Sequence, residues 1–465
     1  MAIQLLKLLK ISVNFVKINF FLLLICLLFL ITRLYKIDSI PSSVYWDEAS
    51  IGYNAYSVLT TGKDEWGETL PLHFRAFGEF KLPVYIYSVL VTESVFGLST
   101  LAVRLPAVLY GLLSILGLYF VVFKLTNQKL LSLFSSFLFS ITPWFYVFSR
   151  TGHEAVAGLA FFIWAIYLIL YSQRNKWLIV GSTILFILSI YSYNSFRILT
   201  PFILGPILFY FLTKKQFVVV TISIILLIGS IIPIYKLYKL DSGLGRFQTV
   251  GDTKNIVNNY FKNFSYDFLI KTGDTNPRSQ IPNIGQLYYV DVLFLVIGII
   301  YILKNSKYWP ILILITLAPI PAALTRENPH ALRSILMSPI LSVVSAMGIY
   351  FFSTLFKKGR AWILTGIILI YALSFENYFY KFGTEYNKLS SSAWQYEYKE
   401  IFEKQKEGCV SDKFAQPYIF ALFYQKIDPN EFIKTRQLNP VSDWGFSTVK
   451  SFGNYTFEKI CGKTN

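Results

Sequence analysis

Cysteine, histidine and charge are all scarce in this sequence. Of its 465 residues only three are Cys, three are His, and 15% are Asp, Glu, Lys or Arg. Cys26, Cys409 and Cys461 lack the spacing of a thiolate zinc site. A disulfide between Cys409 and Cys461, which needs an oxidising compartment, and two free thiols both stay open. No internal repeat or low-complexity tract is evident.

Apolar residues are abundant instead. The chain is 54% hydrophobic and 18% aromatic, with a mean hydropathy of +0.50, which is typical of a polytopic membrane protein and excludes a single soluble core. Its formal charge of +17 comes from 43 Lys and Arg against 26 Asp and Glu. Because the basic residues lie mainly in short loops between apolar runs, they indicate membrane topology and no nucleic-acid partner.

The first apolar run resembles a signal sequence, since Lys7, Lys10 and Lys17 precede Ile18 to Ile31. No small-x-small cleavage site follows, so we expect an uncleaved first transmembrane helix with a cytoplasmic N-terminus. Runs of roughly 17 to 25 residues give about eleven helices in an all-α transmembrane domain, residues 1–375. The predicted spans are 14–33, 103–123, 130–148, 155–172, 177–192, 196–212, 217–235, 287–304, 308–324, 331–354 and 361–375.

Every second connection is short and basic, as in 124–129, 174–176, 214–215, 304–307 and 357–360. The positive-inside rule therefore predicts a multi-pass protein of the plasma or inner membrane, with the other connections and the C-terminus outside.

The first outer loop, residues 34–102, contains two shorter apolar pieces. From Glu48 to Thr60, apolar residues recur at helical spacing and predict a helix along the membrane surface. The piece 83–96 begins with Pro83 and contains Glu93, so it is too short and too polar to cross. If it crossed, every later basic loop would move outside, and the charge pattern therefore favours an interfacial helix.

Asp47 and Glu48 come shortly after the first span, which places them near the outer membrane surface. Asp47 could simply cap the helix that begins there. Adjacent residues on a helix point about 100° apart, so the two carboxylates serve different purposes. One could react while the other orients it or binds the acceptor.

Other ionisable side chains gather at the outer ends of later spans, and such residues are functional candidates by default. The stretch 149–154 combines Arg150, His153 and Glu154, although it could also be a solvated turn. Cations there suit an anionic headgroup. The candidate phosphate-binding residues are Arg150, Arg197, Arg246, Arg278, Arg326 and Arg333, and the candidate substrate contacts are Trp46, Tyr53, His153 and His330.

Four motifs resemble the GT-C superfamily of lipid-dependent glycosyltransferases, in the protein O-mannosyltransferase and aminoarabinose-transferase (ArnT-like) branch. They are the Asp47-Glu48 pair, residues 77–85, residues 96–106 and residues 149–154, over a resemblance of roughly 30–350. It implies a polyprenyl-phosphate sugar donor, acidic site residues at Asp47 and Glu154, and a phosphate contact at Lys81. The Lys-Pro-Pro sequence of the family appears here as Lys81-Leu82-Pro83, so Leu82 stands where the family has a proline.

The chemistry of such a transfer agrees with these residues. A lipid phosphate leaves with help from cations, while a neutral hydroxyl needs a carboxylate to take its proton. We therefore expect Asp47 as the base, Glu48 and Glu154 as supports, and inversion at the anomeric carbon. The sugar, hexosyl or pentosyl, and the acceptor hydroxyl, on protein, glycolipid or polysaccharide, stay open.

Two other classes of protein also fit a many-helix chain with cationic sites: a transporter or flippase of lipid-linked sugars, and a noncatalytic scaffold. A transporter predicts charge at mid-membrane and paired Gly or Pro interruptions. We expect no cofactor; a divalent metal ion is less favoured, because histidines in separate outer loops are more often hydrogen-bonded surface residues.

Beyond the last span, residues 376–465 mix polar and apolar residues and predict a small outer α/β domain. Short strands and a helix are expected within 410–414, 418–424 and 447–460. Aromatic residues at 393–396 and 417–418 either bind the acceptor or pack against the core.

Overall fold

The computed structural model describes residues 20–77, 79–239, 250–252, 254–356, 358–441 and 447–461. Helices dominate the first four fifths of the chain. They are α1 (Phe20–Leu34), α2 (Trp46–Thr61), α3 (Pro83–Phe96), α4 (Thr100–Thr126), α5 (Lys129–Ile141), α6 (Pro143–Tyr146), α7 (Ala155–Tyr171), α8 (Leu178–Ile190), α9 (Asn194–Thr213), α10 (Phe217–Tyr238), α11 (Ile256–Lys262), α12 (Tyr289–Leu303), α13 (Trp309–Leu317), α14 (Ile320–Ala323), α15 (Met337–Thr354) and α16 (Arg360–Thr384).

Six helical stretches within the described residues are long and apolar enough to cross a membrane: 100–126, 194–213, 217–238, 306–323, 337–354 and 360–384. A seventh span would join α5 to residues 143–150 across a 64° bend. Each of the remaining predicted spans coincides with a shorter apolar helix. Within the described residues the positions of the spans are thus reproduced; residues 14–19 of the first predicted span lie outside them, and the total of eleven crossings stays a prediction.

Two predicted span boundaries were wrong. The span 331–354 begins as a helix only at Met337, because residues 331–336 form turns. The last span continues past residue 375 to Thr384, because Tyr378 and Phe382 keep one face of the helix buried.

Helix α2 is largely buried by protein, and its predicted position along the membrane surface stays a prediction. Asp47 and Glu48 in its first turn suit the helix dipole, and it ends at Gly62, whose left-handed conformation (φ 72°) lets its N–H bind Val58 O. Ten of its 16 residues are buried. It packs between the membrane-side helices and the C-terminal region, with Gly52 against Val103 and Phe423.

The strands β1 (Phe74–Arg75) and β2 (Phe80–Lys81) form a short antiparallel pair ahead of α3, with Phe74 opposite Lys81. Two hydrogen bonds attach α3 to the start of α4. Pro106 has no N–H for Ala102 O, which instead accepts from Thr92 Oγ1 at 2.6 Å. Tyr85 Oη donates to Val103 O at 2.9 Å. The 34–102 segment is thus fixed to the outer end of α4.

The C-terminal region contains helices and a four-stranded sheet, in agreement with the predicted α/β composition. After α16 come α17 (Tyr386–Ser390), α18 (Tyr396–Lys404), β3 (Gly408–Ser411), α19 (Pro417–Gln425), α20 (Pro429–Thr435), β4 (Gln437–Leu438), β5 (Val449–Phe452) and β6 (Tyr455–Glu458). The sheet order is β3-β6-β5-β4, with β3 parallel to β6. A disulfide joins Cys409 to Cys461. The outer location and the boundary at 375/376 stay predictions.

One hydrophobic core joins the 34–102 segment to the C-terminal region. It includes Tyr53 of α2, Tyr85 of α3, Phe420 of α19 and Phe432 of α20. The C-terminal region therefore packs directly on the helix that carries Asp47 and Glu48.

Candidate active site

Asp47 forms an ion pair with Lys81. Lys81 Nζ donates to Asp47 Oδ1 at 2.5 Å and lies 3.3 Å from Glu79 Oε1. The Lys81 side chain is 3% exposed and that of Asp47 is 25% exposed, so the carboxylate is the accessible member. The N-cap residue of α2 is Tyr45, whose backbone is extended and whose side chain makes no capping hydrogen bond. The alternative in which Asp47 caps the helix is therefore wrong.

The surroundings of Lys81 keep it charged. Burial disfavours the ammonium, but the negative charges of Asp47, Glu79 and Glu154 outweigh burial, so the pKa of Lys81 is raised. Since its charge contributes to this shift, the Glu154 carboxylate lies within Coulombic range of Lys81. The structure thus brings together the two acidic positions and the lysine that the sequence selected.

Glu48 is buried in an ion pair on the other side of the helix turn. Its side chain is 0% exposed, and Arg104 donates to it through Nε and Nη2, both at 3.0 Å. Gly152 N donates to its Oε1 at 2.6 Å, and a Cβ at Gly152 would lie 2.9 Å from Glu48 Cγ. This burial does not suit contact with an acceptor, whereas the expectation that Glu48 places Asp47 stays a prediction; the observed contacts show that Glu48 holds the 149–154 loop.

Arg104 was missed as a site residue, although it lies in the motif 96–106. Its guanidinium also donates to the carbonyls of Ile37, Pro41 and Ser43 at 2.7, 3.2 and 2.6 Å. A charged residue within the first turns of a span, beside the Asp47-Glu48 motif, was the signal that could have identified it.

Arg150 does not face a ligand. It is fully buried, and its Nη2 donates to the carbonyls of Tyr35 and Ile40 at 2.7 and 2.8 Å. Backbone carbonyls thus take the place of the phosphate that the sequence suggested. The prediction of Arg150 as a phosphate contact is therefore corrected to a structural role.

His153 is buried beside the Asp47–Lys81 pair. Its Nδ1 hydrogen-bonds Thr151 Oγ1 at 2.7 Å, and its ring stacks on Tyr45 at 5.5 Å. Burial, and then the positive charge of Arg278, lowers the pKa of His153 to about 3. The imidazole is therefore neutral at physiological pH and packs among Tyr45, Phe148 and Trp394.

Arg278 stands over the residues that precede Asp47. Its guanidinium carbon lies 5.0 Å from the Tyr45 ring centre and 5.6 Å from that of Trp46. Within the described residues no carboxylate lies at ion-pair distance from this guanidinium. Arg278 thus remains available for an anion.

A cavity of about 630 Å³ opens beside Trp46 and Arg278. Most of the residues that line it are polar, and Trp46 and Phe414 contribute aromatic rings. The lining residues are Trp46, Asp274, Thr275, Asn276, Pro277, Arg278, Arg326, Glu327, Asn328, Pro329, His330, Ala393, Gln395 and Phe414. Such a lining suits a hydroxyl-rich or anionic ligand.

Of the other arginines predicted to bind phosphate, Arg326 lines this cavity, whereas Arg197 and Arg333 are not among its lining residues. Arg326 lines the cavity and donates to Gly251 O at 3.1 Å, whereas Arg333 binds Thr325 Oγ1 at 2.9 Å and Glu327 at 3.3 Å. Arg197 contacts Tyr238 Oη at 3.2 Å. Arg246 lies outside the described residues.

Two candidate substrate contacts have different outcomes. His330 lines the cavity, 3.8 Å from both Asp274 and Glu327. Tyr53 is fully buried and donates to Ile427 O at 3.1 Å, so its prediction as a substrate contact is corrected to packing.

The C-terminal region reaches the start of α2 through Trp394 and Gln395. Trp394 is fully buried against Tyr45, which agrees with the packing alternative for this aromatic stretch. Gln395 lies in the stretch 393–396, which was selected for its aromatic residues; it accepts from Trp46 N at 3.0 Å and donates to Phe414 O at 2.5 Å. This amide links the C-terminal region to the residue before Asp47.

Metal ligands do not cluster in the described part of the chain, where no group of three or more His, Cys, Asp or Glu could hold an ion. The absence of a metal from the reaction stays a prediction.

Comparison with known structures identifies the fold. The oligosaccharyltransferase of Archaeoglobus fulgidus superposes in its apo form with a TM-score of 0.54 at 14% identity, over 87% of this chain and 63% of that one. Its complex with an inhibitory peptide and a dolichol-phosphate gives 0.55 at 13% identity, over 88% of this chain and 64% of that one. The chain has the GT-C fold. It spans less than two thirds of the length of these relatives.

The family match in sequence covers a smaller part of the chain than the structural match does. Residues 81–240 match the family model described as dolichyl-phosphate-mannose-protein mannosyltransferase, a range that begins at Lys81 and includes Glu154. ArnT from Cupriavidus metallidurans bound to undecaprenyl phosphate gives a TM-score of 0.48 at 12% identity, over 88% of this chain and 85% of that one. None of the curated proteins matches the sequence. The resemblance to the GT-C superfamily is confirmed.

Proposed function

We propose that this chain is a membrane glycosyltransferase that moves a sugar from a polyprenyl-phosphate donor to a hydroxyl acceptor on the outer face of the plasma or inner membrane. The family match over residues 81–240 and the GT-C fold both support this proposal. A neighbour of the same fold binds a dolichol-phosphate, which supports a lipid-phosphate donor here.

The observation that carries the proposal is the Asp47–Lys81 ion pair, with Asp47 as its accessible member. Glu154 lies near this pair, since its charge raises the pKa of Lys81, and Arg278 stacks on Trp46 at the edge of the cavity. The transfer needs a base for the acceptor hydroxyl and a cation for the leaving phosphate. Asp47 supplies the accessible carboxylate, and Arg278 supplies the cation.

In the proposed reaction the acceptor oxygen forms a bond to the anomeric carbon while the bond from that carbon to the phosphate oxygen breaks. The acceptor proton passes to Asp47, and the electron pair of the broken bond leaves with the lipid phosphate. Arg278 stabilises the phosphate, and Lys81 keeps Asp47 ionised and oriented. Glu154 orients the acceptor. This single displacement inverts the anomeric centre.

The distribution of charge favours an enzyme over a transporter. Asp47 lies in the first turn of a helix, Lys81 in the short strand β2, and Glu154 and Arg278 in loops, so none of the four is in the middle of a span. A transporter of lipid-linked sugars predicts charged groups at mid-membrane.

The test uses purified protein in detergent with polyprenyl-phosphate hexoses and pentoses, and with protein, glycolipid and polysaccharide acceptors. Wild type is compared with Asp47→Asn and with Asp38→Asn, an exposed aspartate of the same segment. We expect sugar transfer from one donor class that Asp47→Asn abolishes and Asp38→Asn preserves. No transfer from any lipid-phosphate donor, or a product with the donor's anomeric configuration, would contradict the proposed reaction.

A further inference from the structure

The hydroxyl of Tyr386 holds the loop that carries Arg278. Tyr386 is the first residue of α17, shortly after the end of α16, and its side chain is fully buried. Tyr386 Oη donates to the carbonyl of Pro277, the residue before Arg278, at 2.8 Å. Burial raises the pKa of Tyr386, so the hydroxyl keeps the proton that this hydrogen bond needs. The C-terminal region is thus bonded to the backbone next to the cation.

The same hydroxyl also accepts a hydrogen bond. Trp394 Nε1 donates to Tyr386 Oη at 3.0 Å, and Trp394 is itself fully buried. Because the indole N–H takes a lone pair of the oxygen, the hydroxyl proton is left for the Pro277 carbonyl. The Tyr386 ring stacks on Phe382, near the end of α16, with the ring centres 4.8 Å apart. Tyr386 is therefore fixed in orientation through both its hydroxyl and its ring.

These contacts close a ring that begins and ends at Arg278. Trp394 meets Tyr45 edge to face, with the ring centres 5.2 Å apart, and the guanidinium carbon of Arg278 lies 5.0 Å from the Tyr45 ring centre. The backbone before Arg278 and the aromatic ring beside its side chain are thus both attached to the buried pair of Tyr386 and Trp394. Within the described residues no carboxylate fixes this guanidinium by an ion pair. Its position therefore depends on the loop backbone and on the aromatic rings.

The same short segment, residues 386–395, also reaches the base. Gln395 accepts from Trp46 N, next to Asp47, at 3.0 Å. Ser43 Oγ donates to the carbonyl of Trp394, four residues before Asp47. One segment of the C-terminal region therefore bonds to the chain just before the carboxylate and, through Tyr386, to the chain just before the cation.

We propose that Tyr386 is a positioning residue for the transfer, because its hydroxyl holds Arg278 where charge develops on the leaving phosphate. The inference rests on the proposed function, in which Arg278 stabilises that phosphate. A cation lowers the barrier most when it is held in place before the reaction, and a small displacement costs much of the rate. Tyr386 is not among the residues that line the cavity, so it acts through Arg278 and does not contact the substrate itself.

The experiment combines Tyr386→Phe and Arg278→Gln in a double-mutant cycle. It measures kcat of the purified full chain in detergent, with the lipid-phosphate donor and the acceptor that support transfer by wild type. We expect Arg278→Gln to lower kcat on the order of 100-fold and Tyr386→Phe about 5- to 10-fold. Adding Tyr386→Phe to Arg278→Gln should lower kcat by no more than about 2-fold further, because the group that Tyr386 positions is already gone.

Tyr455→Phe is the matched control. Tyr455 is also buried, and its hydroxyl also donates to a backbone carbonyl of the C-terminal region, that of Gln405, at 2.9 Å. Both variants lose only a hydroxyl, so both should fold, and only Tyr386→Phe should lower kcat. Equal kcat values for the two variants would overturn the proposal. Full additivity of the Tyr386→Phe and Arg278→Gln losses would also overturn it, since Tyr386 would then act independently of Arg278.

Hydrogen exchange tests the contact without any transfer reaction. Deuterium uptake by a peptide that covers residues 274–280 should rise in Tyr386→Phe and stay as in wild type in Tyr455→Phe, because the loop opens more often without its hydrogen bond. Unchanged uptake in Tyr386→Phe would overturn the proposal at the level of the contact.

The proposed function is scored separately in the same preparations. If wild type transfers no sugar from any lipid-phosphate donor, the proposed function fails, while the exchange result still decides whether Tyr386 holds the Arg278 loop. If wild type transfers sugar and the cycle is additive, the function stands and the positioning role of Tyr386 fails.

Discussion

Both carboxylate oxygens of Glu48 are bound by the guanidinium of Arg104, 56 residues further along the chain, and both side chains are fully buried. The same guanidinium holds three carbonyls between residues 37 and 43. The pair therefore fixes the approach of the chain to α2, one residue from the carboxylate proposed as the base.

Replacing Glu48 by Gln should destabilise the fold, because it leaves Arg104 buried without its counter-charge. Breaking one partner of a buried pair costs about 3–5 kcal/mol. Thermal unfolding in detergent measures the loss, with the exposed Glu68→Gln of the same segment as the control. A Glu48→Gln protein as stable as wild type but inactive would instead give Glu48 a direct part in the chemistry.

Gln395 should affect the rate more than the stability. It holds Trp46 N, next to Asp47, from the C-terminal region. A small displacement of a reacting group can lower the rate by on the order of 10- to 100-fold. We expect Gln395→Ala to lower kcat within that range while the KM for the donor stays within about 2-fold of wild type. Gln405→Ala, which removes an amide elsewhere in the same region, is the matched control.

The stability of the protein should fall as the pH falls below about 6.5, partly because of His153. Its pKa in the folded chain is about 3, so between these values the unfolded chain binds a proton that the folded chain does not. Stability then decreases with acidification by at most roughly 1.4 kcal/mol per pH unit from this group. Unfolding measured from pH 7 to pH 4 should show a shallower dependence for His153→Phe. Identical slopes would mean that His153 is protonated in the folded chain.

The disulfide between Cys409 and Cys461 should be detectable and stabilising. It joins β3 to the residues after β6, which are 52 positions apart, and bonds that close loops of this order contribute about 2–4 kcal/mol. Protein from the membrane should migrate differently on gels before and after reduction, and Cys409→Ser should lower Tm. Two free thiols in freshly isolated protein would place this region in a reducing compartment and contradict the predicted topology.

Local patterns in the sequence predict much of this fold. Runs of apolar residues locate the spans, since each helix must match the membrane thickness. Pro83 and Gly97 mark the ends of α3, and Gly62 marks the end of α2. Asp47, Lys81 and Glu154 were selected through motifs, and the structure brings them together.

Long-range contacts could not be predicted in the same way. Helix α2 has an apolar face that suits a membrane surface equally well, and only the packing of α19 shows that it is buried. Arg150 has the sequence context of a ligand, but its donors reach Ile40, 110 residues earlier. Gln395 lies in a stretch selected for its aromatic residues, but its own role depends on a contact with Trp46, 349 residues away in sequence.

The most direct test of the central claim is the single-turnover rate of sugar transfer at saturating lipid donor, for wild type, Asp47→Asn and Asp38→Asn. General-base catalysis contributes on the order of 10²- to 10⁴-fold, so Asp47→Asn should be slower by a factor in that range with donor binding intact. Asp38→Asn should match wild type. Equal rates for wild type and Asp47→Asn would contradict the assignment of Asp47 as the base.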